Sequence, residues 1–459
     1  MKTNQKTLQY VLALTFCVVS CTSIKNEVSL DPSLPLTKSL VSNAYALTEN
    51  EAVARAAQFF NGIENTTIGI SQSRSVSSMN LSEKTEKVTI FVREIDSEPI
   101  PVYVINYAHK QSKSAGGYVI LVGDKRIDKA NSILAYSDNG SWGSIEPLMQ
   151  NFLDLFWRKT DEFIKSELLG RSSSSQNSRG GYGHPPCPHC LEFSIIYYFD
   201  DMKRLSQPAL WSQLDPYNVK LNPMCGGTGY SLYPPVGCVA TAMGQIMAYH
   251  QKPTSGSYTN YLGTTVSTTY NWSTMTTSQY IGSLSSTGQE MVQNLLAEIG
   301  KLSVLSPYGY TEQLMSYGCY LGPNTGTGSF SCMAYARQGF ALMGYTTAPL
   351  GIDYDYSAVV YEIDSNRPIF ACGGGYLPST FQHHAWVMDG VNSQKVVEEV
   401  YWECPWIGGL ELLYKNTSYV NYVYCNLGAE IPSNKNGFYN SSLFKKILAD
   451  DTVILIDIN

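Results

Sequence analysis

The sequence of residues 234–250 is PPVGCVATAMGQIMAYH, which indicates a tight turn that leads directly into a helix. Cys238 stands where the first helical turn begins. Unpaired backbone N–H groups and the positive end of the helix dipole favour a thiolate at that position, and the thiolate is the nucleophilic form. The alternative is a buried structural cysteine. The interpretation therefore depends on whether the chain also supplies a base, an orienting group and an oxyanion site.

A base is offered by two adjacent histidines, His383 and His384, which precede a predicted strand. They lie about 146 residues after Cys238, the separation expected of a Cys–His hydrolase of the papain type. Because side chains alternate along a strand, only one of the two can point at a cleft.

Two further residues complete a possible catalytic set. Asn426 ends a predicted strand that can pair beside the strand of His384, and its side-chain oxygen can accept from an imidazole N–H and so fix the tautomer. Gln213 lies upstream and would add an oxyanion donor to the backbone N–H of Cys238. Spacing alone does not settle either assignment.

Composition limits the class of protein. The chain has 459 residues, enough for two to three domains, and a scattered net charge of -7. No Lys/Arg stripe is present, which argues against a nucleic-acid partner. The 33 tyrosines, together with common Gly, Ser and Asn, are typical of a β-containing exported protein.

The first 44 residues predict export. Residues 1–21 have a positive start and a short apolar core, and they end in Val18-Val19-Ser20-Cys21, which is similar to a bacterial lipobox. We expect lipidation of Cys21, with ordinary signal cleavage as the alternative. Residues 22–44 would be a tether. The expected location is the bacterial outer membrane, periplasm or cell surface, with release of the mature domain.

Residues 45–170 predict a small α+β domain. Its expected elements are helices at 52–60 and 148–169 and strands at 87–93, 102–108, 117–122 and 132–136. Residues 171–190 follow as a linker. Arg171 and Arg179 in a serine-rich stretch suggest a processing site there, although a plain interdomain linker has the same composition.

The cysteines do not predict a disulfide framework. Two of the eleven, Cys17 and Cys21, belong to the leader, and an odd number remains at irregular spacing, so at least one thiol is unpaired. Residues 184–190 read HPPCPHC. These ligand types crowd into seven residues with no second CxxC, so we favour a local disulfide or unpaired thiols over zinc. We predict neither metal nor cofactor.

Residues 191–459 predict a larger domain in which helices precede strands. The helices are expected at 238–250, 288–300 and 330–342, and the strands at 368–372, 385–389, 395–400, 419–427 and 452–458. This order indicates an α+β fold.

Several separated segments resemble the streptopain family of bacterial cysteine peptidases. Residues 235–250 are similar to its nucleophile segment, and WSQ at 211–213 with PYN at 216–218 to its oxyanion segment. The stretch HAWVMDG at 384–390 is similar to its histidine segment, which selects His384 over His383. Residues 103–106, 117–124 and 133–137 resemble the family's propeptide.

The resemblance implies a papain-like catalytic domain, with a helical half and an antiparallel sheet half, preceded by an inhibitory propeptide. It implies a cysteine endopeptidase that hydrolyses peptide bonds through a thiolate–imidazolium pair of Cys238 and His384, assisted by Asn426 and Gln213. Substrates would be proteins or peptides with an apolar residue at the second position before the scissile bond. The propeptide would hold the histidine segment out of place until the linker is cut.

The chain departs from the family pattern after Asn426. The family has Asn-Trp-Gly-Trp-Gly-Gly, whereas Leu427 and Ala429 replace both tryptophans here. Leu427 would supply part of the missing apolar cover over the Asn–His bond. A weakened or inactive surface binding protein is therefore an alternative, as is a cysteine acyltransferase or transglutaminase. The complete Cys–Gln–His–Asn set argues against a purely structural module.

Overall fold

The computed structural model describes most of the chain beyond the predicted leader and tether. The described residues are 43–64, 84–109, 115–128, 131–143, 150–174, 191–226, 231–306, 308–319, 328–346, 351–377, 380–404, 409–429, 435–445 and 452–458. The predicted export signal, most of the tether, residues 175–190 and the HPPCPHC stretch lie outside them. Within these ranges, no helix is both long enough and apolar enough to cross a bilayer.

The N-terminal part is a four-stranded antiparallel sheet between two helices. Its elements are α1 (Glu49–Glu64), β1 (Lys84–Ile95), β2 (Glu98–His109), β3 (Ala115–Val122), β4 (Ile133–Ser137) and α2 (Gln150–Ser174). Thr48 and Glu51 form a reciprocal cap at the start of α1, with Glu51 Oε2 accepting from Thr48 N at 2.7 Å and Thr48 Oγ1 accepting from Glu51 N at 3.3 Å. The predicted elements are present here, and α2 continues to Ser174, into the predicted linker.

The larger part begins with a strand that the sequence reasoning missed. Its elements are β5 (Leu191–Arg204), α3 (Cys238–His250), β6 (Ser255–Thr259), β7 (Thr265–Thr269), α4 (Trp272–Met275), α5 (Ser286–Lys301), β8 (Ser303–Leu305), β9 (Thr311–Gln313), α6 (Met333–Leu342), β10 (Ile352–Asp353), α7 (Tyr356–Asp364), β11 (Ile369–Leu377), β12 (Thr380–Cys404), β13 (Gly409–Asn426), β14 (Gly437–Asn440) and β15 (Thr452–Leu455). The predicted strands at 385–389 and 395–400 are one long strand, β12. The α+β prediction, with a helical half and an antiparallel sheet half, is confirmed.

A single sheet joins the two parts. Its order is β1-β2-β3-β4-β14-β13-β12-β11-β15-β10, with β5 paired to β12. The junction is short, because β4 pairs with β14 only through Tyr136 with Phe438 and Ala135 with Tyr439. The N-terminal part is thus hydrogen-bonded to the sheet that carries His384 and Asn426.

The central strand β12 separates two apolar cores. Ala385 and Val387 point toward the core around α3, whereas Trp386 and Met388 point toward the core that contains Phe152 of α2. This alternation follows from the pleat of a strand covered on both faces. The helix of Cys238 and the last helix of the N-terminal part therefore pack on opposite faces of one strand.

Candidate active site

Cys238 is the first residue of α3, and the turn before it requires glycine. Gly237 has φ 95°, in the left-handed region, and a Cβ there would lie 2.2 Å from Cε of Met315. The Gly237 carbonyl accepts from the backbone N and Oγ1 of Thr241, both at 3.0 Å. Cys238 is partly exposed. The predicted helix start is thus present, with the thiol at its first position.

The thiol of Cys238 is held protonated in this state. Burial raises its pKa, although the backbone N–H groups of Ala385, Val239 and Cys238 itself act in the opposite direction. The helix start alone predicts a lowered pKa, and the difference arises because loss of water outweighs the backbone donors. The N–H of Ala385 lies beside the sulfur, so the backbone next to His384 has already reached the thiol.

The imidazole of His384 faces away from Cys238. Its ring lies 5.9 Å from the ring of Phe152 and stacks on Trp386 at 6.3 Å with an interplanar angle of 11°. Its Nε2 is 3.1 Å from the carbonyl oxygen of Leu427. Because a carbonyl only accepts, Nε2 carries the proton in this contact. Among the described residues, no hydrogen bond joins His384 to Cys238 or Asn426.

Burial also sets the charge of His384. The side chain is 2% exposed, and burial lowers its pKa to about 4, against the opposing effect of the bond to Leu427. The imidazole is therefore neutral at pH 7. A neutral imidazole and a protonated thiol, on opposite faces of β12, do not form the ion pair that nucleophilic attack needs.

Asn426 lies where the sequence predicts, opposite Val387 at the end of β13. Its Oδ1 accepts from Asn436 Nδ2 at 3.2 Å and from Gln245 Nε2 at 3.4 Å, and its Nδ2 donates to the carbonyl of Ala209 at 3.3 Å. The amide is fully buried. The side chain of Asn426, at the end of β13, is thus fixed by hydrogen bonds that include one to Gln245 of the nucleophile helix.

Gln213 is tied to the turn that precedes the nucleophile. Its carbonyl accepts from the backbone N of Val236 at 2.8 Å. The residue is 4% exposed, and its side-chain amide makes no hydrogen bond to the described residues. An amide with unused donors, on a residue whose backbone is bonded to the neighbour of Gly237, suits the predicted oxyanion role.

The residues that replace the family's tryptophans are buried. Leu427 and Ala429 have no exposed surface and lie in the same core as Trp386. The backbone of Leu427 accepts from His384 and donates to Asn436 Oδ1 at 2.8 Å. Leu427 is therefore part of the core on the Trp386 side of β12, and its carbonyl binds the imidazole on that side. Its predicted role as a cover over an Asn–His bond stays a prediction, because no such bond joins the described residues.

The N-terminal part also contacts the segment that follows Asn426, through Lys435. Lys435 is buried, its Nζ donates to the carbonyl of Ser141 at 3.1 Å, and it lies 5.5 Å from the ring centre of Trp142. Burial lowers the pKa of Lys435 to about 8. Asn106 fixes Trp142 by accepting from its backbone N and donating to its carbonyl. This contact and Phe152 restrain the two segments that the active site needs.

The structure contains a disulfide that the cysteine spacing did not predict. Cys225 and Cys319 are bonded across 94 residues of sequence. Spacing did not reveal the pair because the two half-cystines lie on loops that meet only in the fold. Cys238 and Cys425 are free thiols. Among the described residues, no group of three or more His, Cys, Asp or Glu side chains is placed to hold a metal ion.

Sequence reasoning missed two residues of the site. They are Phe152, within the predicted helix at 148–169, and Gln245, within the predicted helix at 238–250. A signal existed for Gln245, since a polar residue two turns after Cys238 falls on the same helix face. No signal existed for Phe152, because its partner His384 belongs to a distant segment.

We expect acid to loosen the contact between α2 and His384. The imidazole binds a proton near pH 6.5 when exposed and only near pH 4 in this state, so the released state binds more protons between these values. Stability of the closed contact is then lost as pH falls from about 6.5 to about 4, by roughly 3 kcal/mol in total. Hydrogen exchange of the α2 amides, corrected for intrinsic rates, measures this loss.

Two variants control this measurement. His384→Gln should remove most of the pH dependence, and His250→Gln, at a half-buried histidine with pKa about 4, should retain it. Asp389 titrates in the reverse sense, because burial raises its pKa to about 7 and its stability contribution grows as pH falls. Global unfolding therefore mixes both signs, and only a local probe decides. Protection of α2 that does not change between pH 7 and 4 would contradict the prediction.

Two family models match the chain. Residues 211–439 match the peptidase C10 family, and residues 44–163 match the Spi protease inhibitor family. The first match contains Cys238, His384, Asn426 and Gln213, and the second contains Phe152 and Trp142. The part that contributes Phe152 is thus similar to a protease inhibitor, and the part that contains Cys238 and His384 is similar to a cysteine peptidase.

Individual proteins agree with these matches. Streptopain of Streptococcus pyogenes is 25% identical over 311 residues, which cover 61% of this chain and 67% of that protein. The thiol protease/hemagglutinin PrtT of Porphyromonas gingivalis is 38% identical over 97 residues, 18% of this chain and 11% of that one. The structure of active wild-type Prevotella intermedia interpain A cysteine protease covers 56% of this chain and 94% of its own, at 20% identity and a TM-score of 0.34, a likeness too weak to bear on the fold.

Proposed function

Since this chain belongs to the peptidase C10 family of cysteine peptidases, we propose that it is an exported endopeptidase held inactive by its own N-terminal part. One observation carries the proposal. Cys238 begins a buried helix with the N–H of Ala385 at its sulfur, while Phe152 of the inhibitor-like part holds the adjacent His384 on the opposite face. Cutting within residues 171–190 would release that part and allow His384 to turn toward Cys238.

The proposed reaction has two stages. The thiolate of Cys238 attacks the peptide carbonyl carbon, and the oxyanion is held by Gln213 and the Cys238 backbone N–H. The imidazolium of His384 protonates the leaving amine, which departs and leaves a thioester. His384 then takes a proton from water, the hydroxide attacks the thioester, and the carboxylic acid leaves with the Cys238 thiolate and the His384 imidazolium restored. Asn426 accepts from the second imidazole N–H and fixes its orientation.

The structure supports a short path between the inactive and active arrangements. The backbone at Ala385 is already in contact with the sulfur, so the histidine segment need not travel far. What must change is the face of β12 on which the imidazole lies, together with its bond to Leu427. Departure of Phe152 would let the imidazole reach the other face of β12. The imidazole would then exchange its hydrogen bond to the Leu427 carbonyl for one to Asn426 Oδ1.

We further propose an apolar preference at the second substrate position before the scissile bond, and lipid anchoring through Cys21. The first is an implication of the family resemblance, and the second rests on the lipobox-like sequence. Membrane fractionation of the exported chain tests the anchor: Cys21→Ala should move the protein to the soluble fraction. Retention of that variant in membranes would contradict anchoring at this residue.

The deciding experiment compares the wild-type chain without residues 1–21 with its Cys238→Ala variant, each incubated and weighed by mass spectrometry over time. We expect the wild type, and not the variant, to be cut within residues 171–190. The cut wild type should then release new termini from casein, with apolar residues two positions before the cleaved bonds.

Each contrary result has its own meaning. Equal loss of the N-terminal part from both chains would contradict self-processing but leave peptidase activity to the casein assay. Ammonia release without new casein termini would indicate a transglutaminase. No turnover of casein, with no covalent adduct of a thiol-directed inhibitor at Cys238, would indicate an inactive binding protein.

A further inference from the structure

Gln245 links three parts of the site that the proposed mechanism treats separately. It lies on α3 seven residues after Cys238, on the same helix face, and it is fully buried. Its Nε2 donates to the carbonyl of Trp211 at 3.0 Å and to Oδ1 of Asn426 at 3.4 Å. One amide thus connects the nucleophile helix to the oxyanion segment and to the orienting asparagine.

Backbone partners fix the direction of these bonds. The backbone N of Gly428 donates to Asn426 Oδ1 at 3.4 Å, and the carbonyl of Ala209 accepts from Asn426 Nδ2 at 3.3 Å. Because a backbone N–H only donates and a carbonyl only accepts, the oxygen and nitrogen of Asn426 cannot be exchanged. The carbonyl of Trp211 identifies Nε2 of Gln245 in the same way. The oxygen of Asn426 is therefore the end that Gln245 holds.

The burial of Gln245 is poorly explained by stability alone. Its Oε1 is buried without a hydrogen-bond partner among the described residues. An apolar side chain of the same length, such as methionine, would fill this space without leaving a buried acceptor unpaired. The hydrogen bonds that Gln245 Nε2 donates to Trp211 and Asn426 therefore account better for the choice of glutamine at this position.

We propose that Gln245 is a positioning residue for the reaction, which holds Asn426 Oδ1 and the Trp211–Gln213 segment in register with Cys238. This inference rests on the proposed peptidase function. When His384 turns toward the thiol, its N–H must find Asn426 Oδ1 at a fixed place. Without Gln245, the Asn426 amide loses one of its side-chain donors, the imidazolium is less well stabilised, and less of Cys238 is ionised.

A double-mutant cycle tests the proposal on the chain cut within residues 171–190. We expect Gln245→Met to lower kcat about 10-fold with KM changed less than about 2-fold, and to lower it less than about 2-fold in the Asn426→Ala background. The same cycle is read by the pH dependence of iodoacetamide alkylation at Cys238. Gln245→Met should raise the pH at which alkylation begins by about one unit, a tenfold lower thiolate fraction, with no further shift in Asn426→Ala.

Gln289→Met is the matched control, since Gln289 also donates from Nε2 to a backbone carbonyl, that of Leu284 at 3.0 Å, but lies on α5 away from the site. It should leave kcat and the alkylation profile unchanged. Equal effects of Gln245→Met in both backgrounds, or a loss of thermal stability without the alkylation shift, would overturn the proposal. If the wild type hydrolyses no peptide, the proposed function fails, and the alkylation cycle still decides the role of Gln245.

Discussion

His384→Ala is expected to lower kcat/KM of the processed protein by about 1,000-fold or more, because the proposed imidazole both ionises Cys238 and protonates the leaving amine. Hydrolysis of a fluorogenic peptide measures the loss. The result matters because His384 faces Phe152, and not the thiol, in the present structure. A large effect after processing would mean that the imidazole changes sides of β12.

The neighbouring histidine provides the control. His383 and His384 occupy successive positions of β12, opposite Gly374 and Gly373 of β11. His383→Ala is expected to change kcat/KM by less than about 3-fold, since it removes no group that the mechanism uses. The reverse outcome, with His383→Ala inactive and His384→Ala active, would assign the base to His383 and leave His384 as a structural residue.

Phe152→Ala is expected to speed self-processing at pH 7 by about 10-fold or more, because water can then reach the His384 imidazole and its pKa returns toward the ordinary value. The same change should cost about 3–5 kcal/mol of stability, as is usual for a buried Phe replaced by Ala. Titration of the His384 ring proton by NMR, made in the Cys238→Ala chain so that it stays intact, checks the pKa directly.

Phe156→Ala distinguishes loss of the ring contact with His384 from a general loss of α2 packing. Phe156 lies one helical turn further along α2, is equally buried, and packs on Trp142, Trp157 and Tyr439, but makes no ring contact with His384. It should lose comparable stability without the shift in the pKa of His384. Phe152→Leu, which keeps the core filled, should show a smaller shift in the same direction as Phe152→Ala. An equal acceleration of self-processing by Phe152→Ala and Phe156→Ala would contradict a specific restraint of His384 by Phe152.

The local parts of the site could be predicted from sequence because each depends on short-range rules. The start of α3 at Cys238 follows from a glycine turn and a helical apolar pattern, and the structure has it at the predicted residue. The pairing of the strands of His384 and Asn426 follows from their apolar runs, and β12 and β13 are indeed neighbours.

The state of the site could not be predicted, because it depends on contacts between distant segments. His384 lies on the side of β12 that contacts Phe152, which is more than two hundred residues away in the chain. The pKa of Cys238 is raised by burial in the folded chain, whereas a helix start alone predicts a lowered one. The Cys225–Cys319 bond and the role of Gln245 also require knowing which loops meet.

The short junction between β4 and β14 has a consequence for the released enzyme. If the N-terminal part leaves as proposed, β14 would become an edge strand, and the backbone groups that pair at Phe438 and Tyr439 would be open to other chains. Exposed edges invite sheet-to-sheet aggregation, which short strands and nearby lysines discourage. β14 spans only Gly437–Asn440, and Lys435 precedes it. Lys435, which binds the inhibitor-like part in this structure, would then discourage pairing of this edge with other chains.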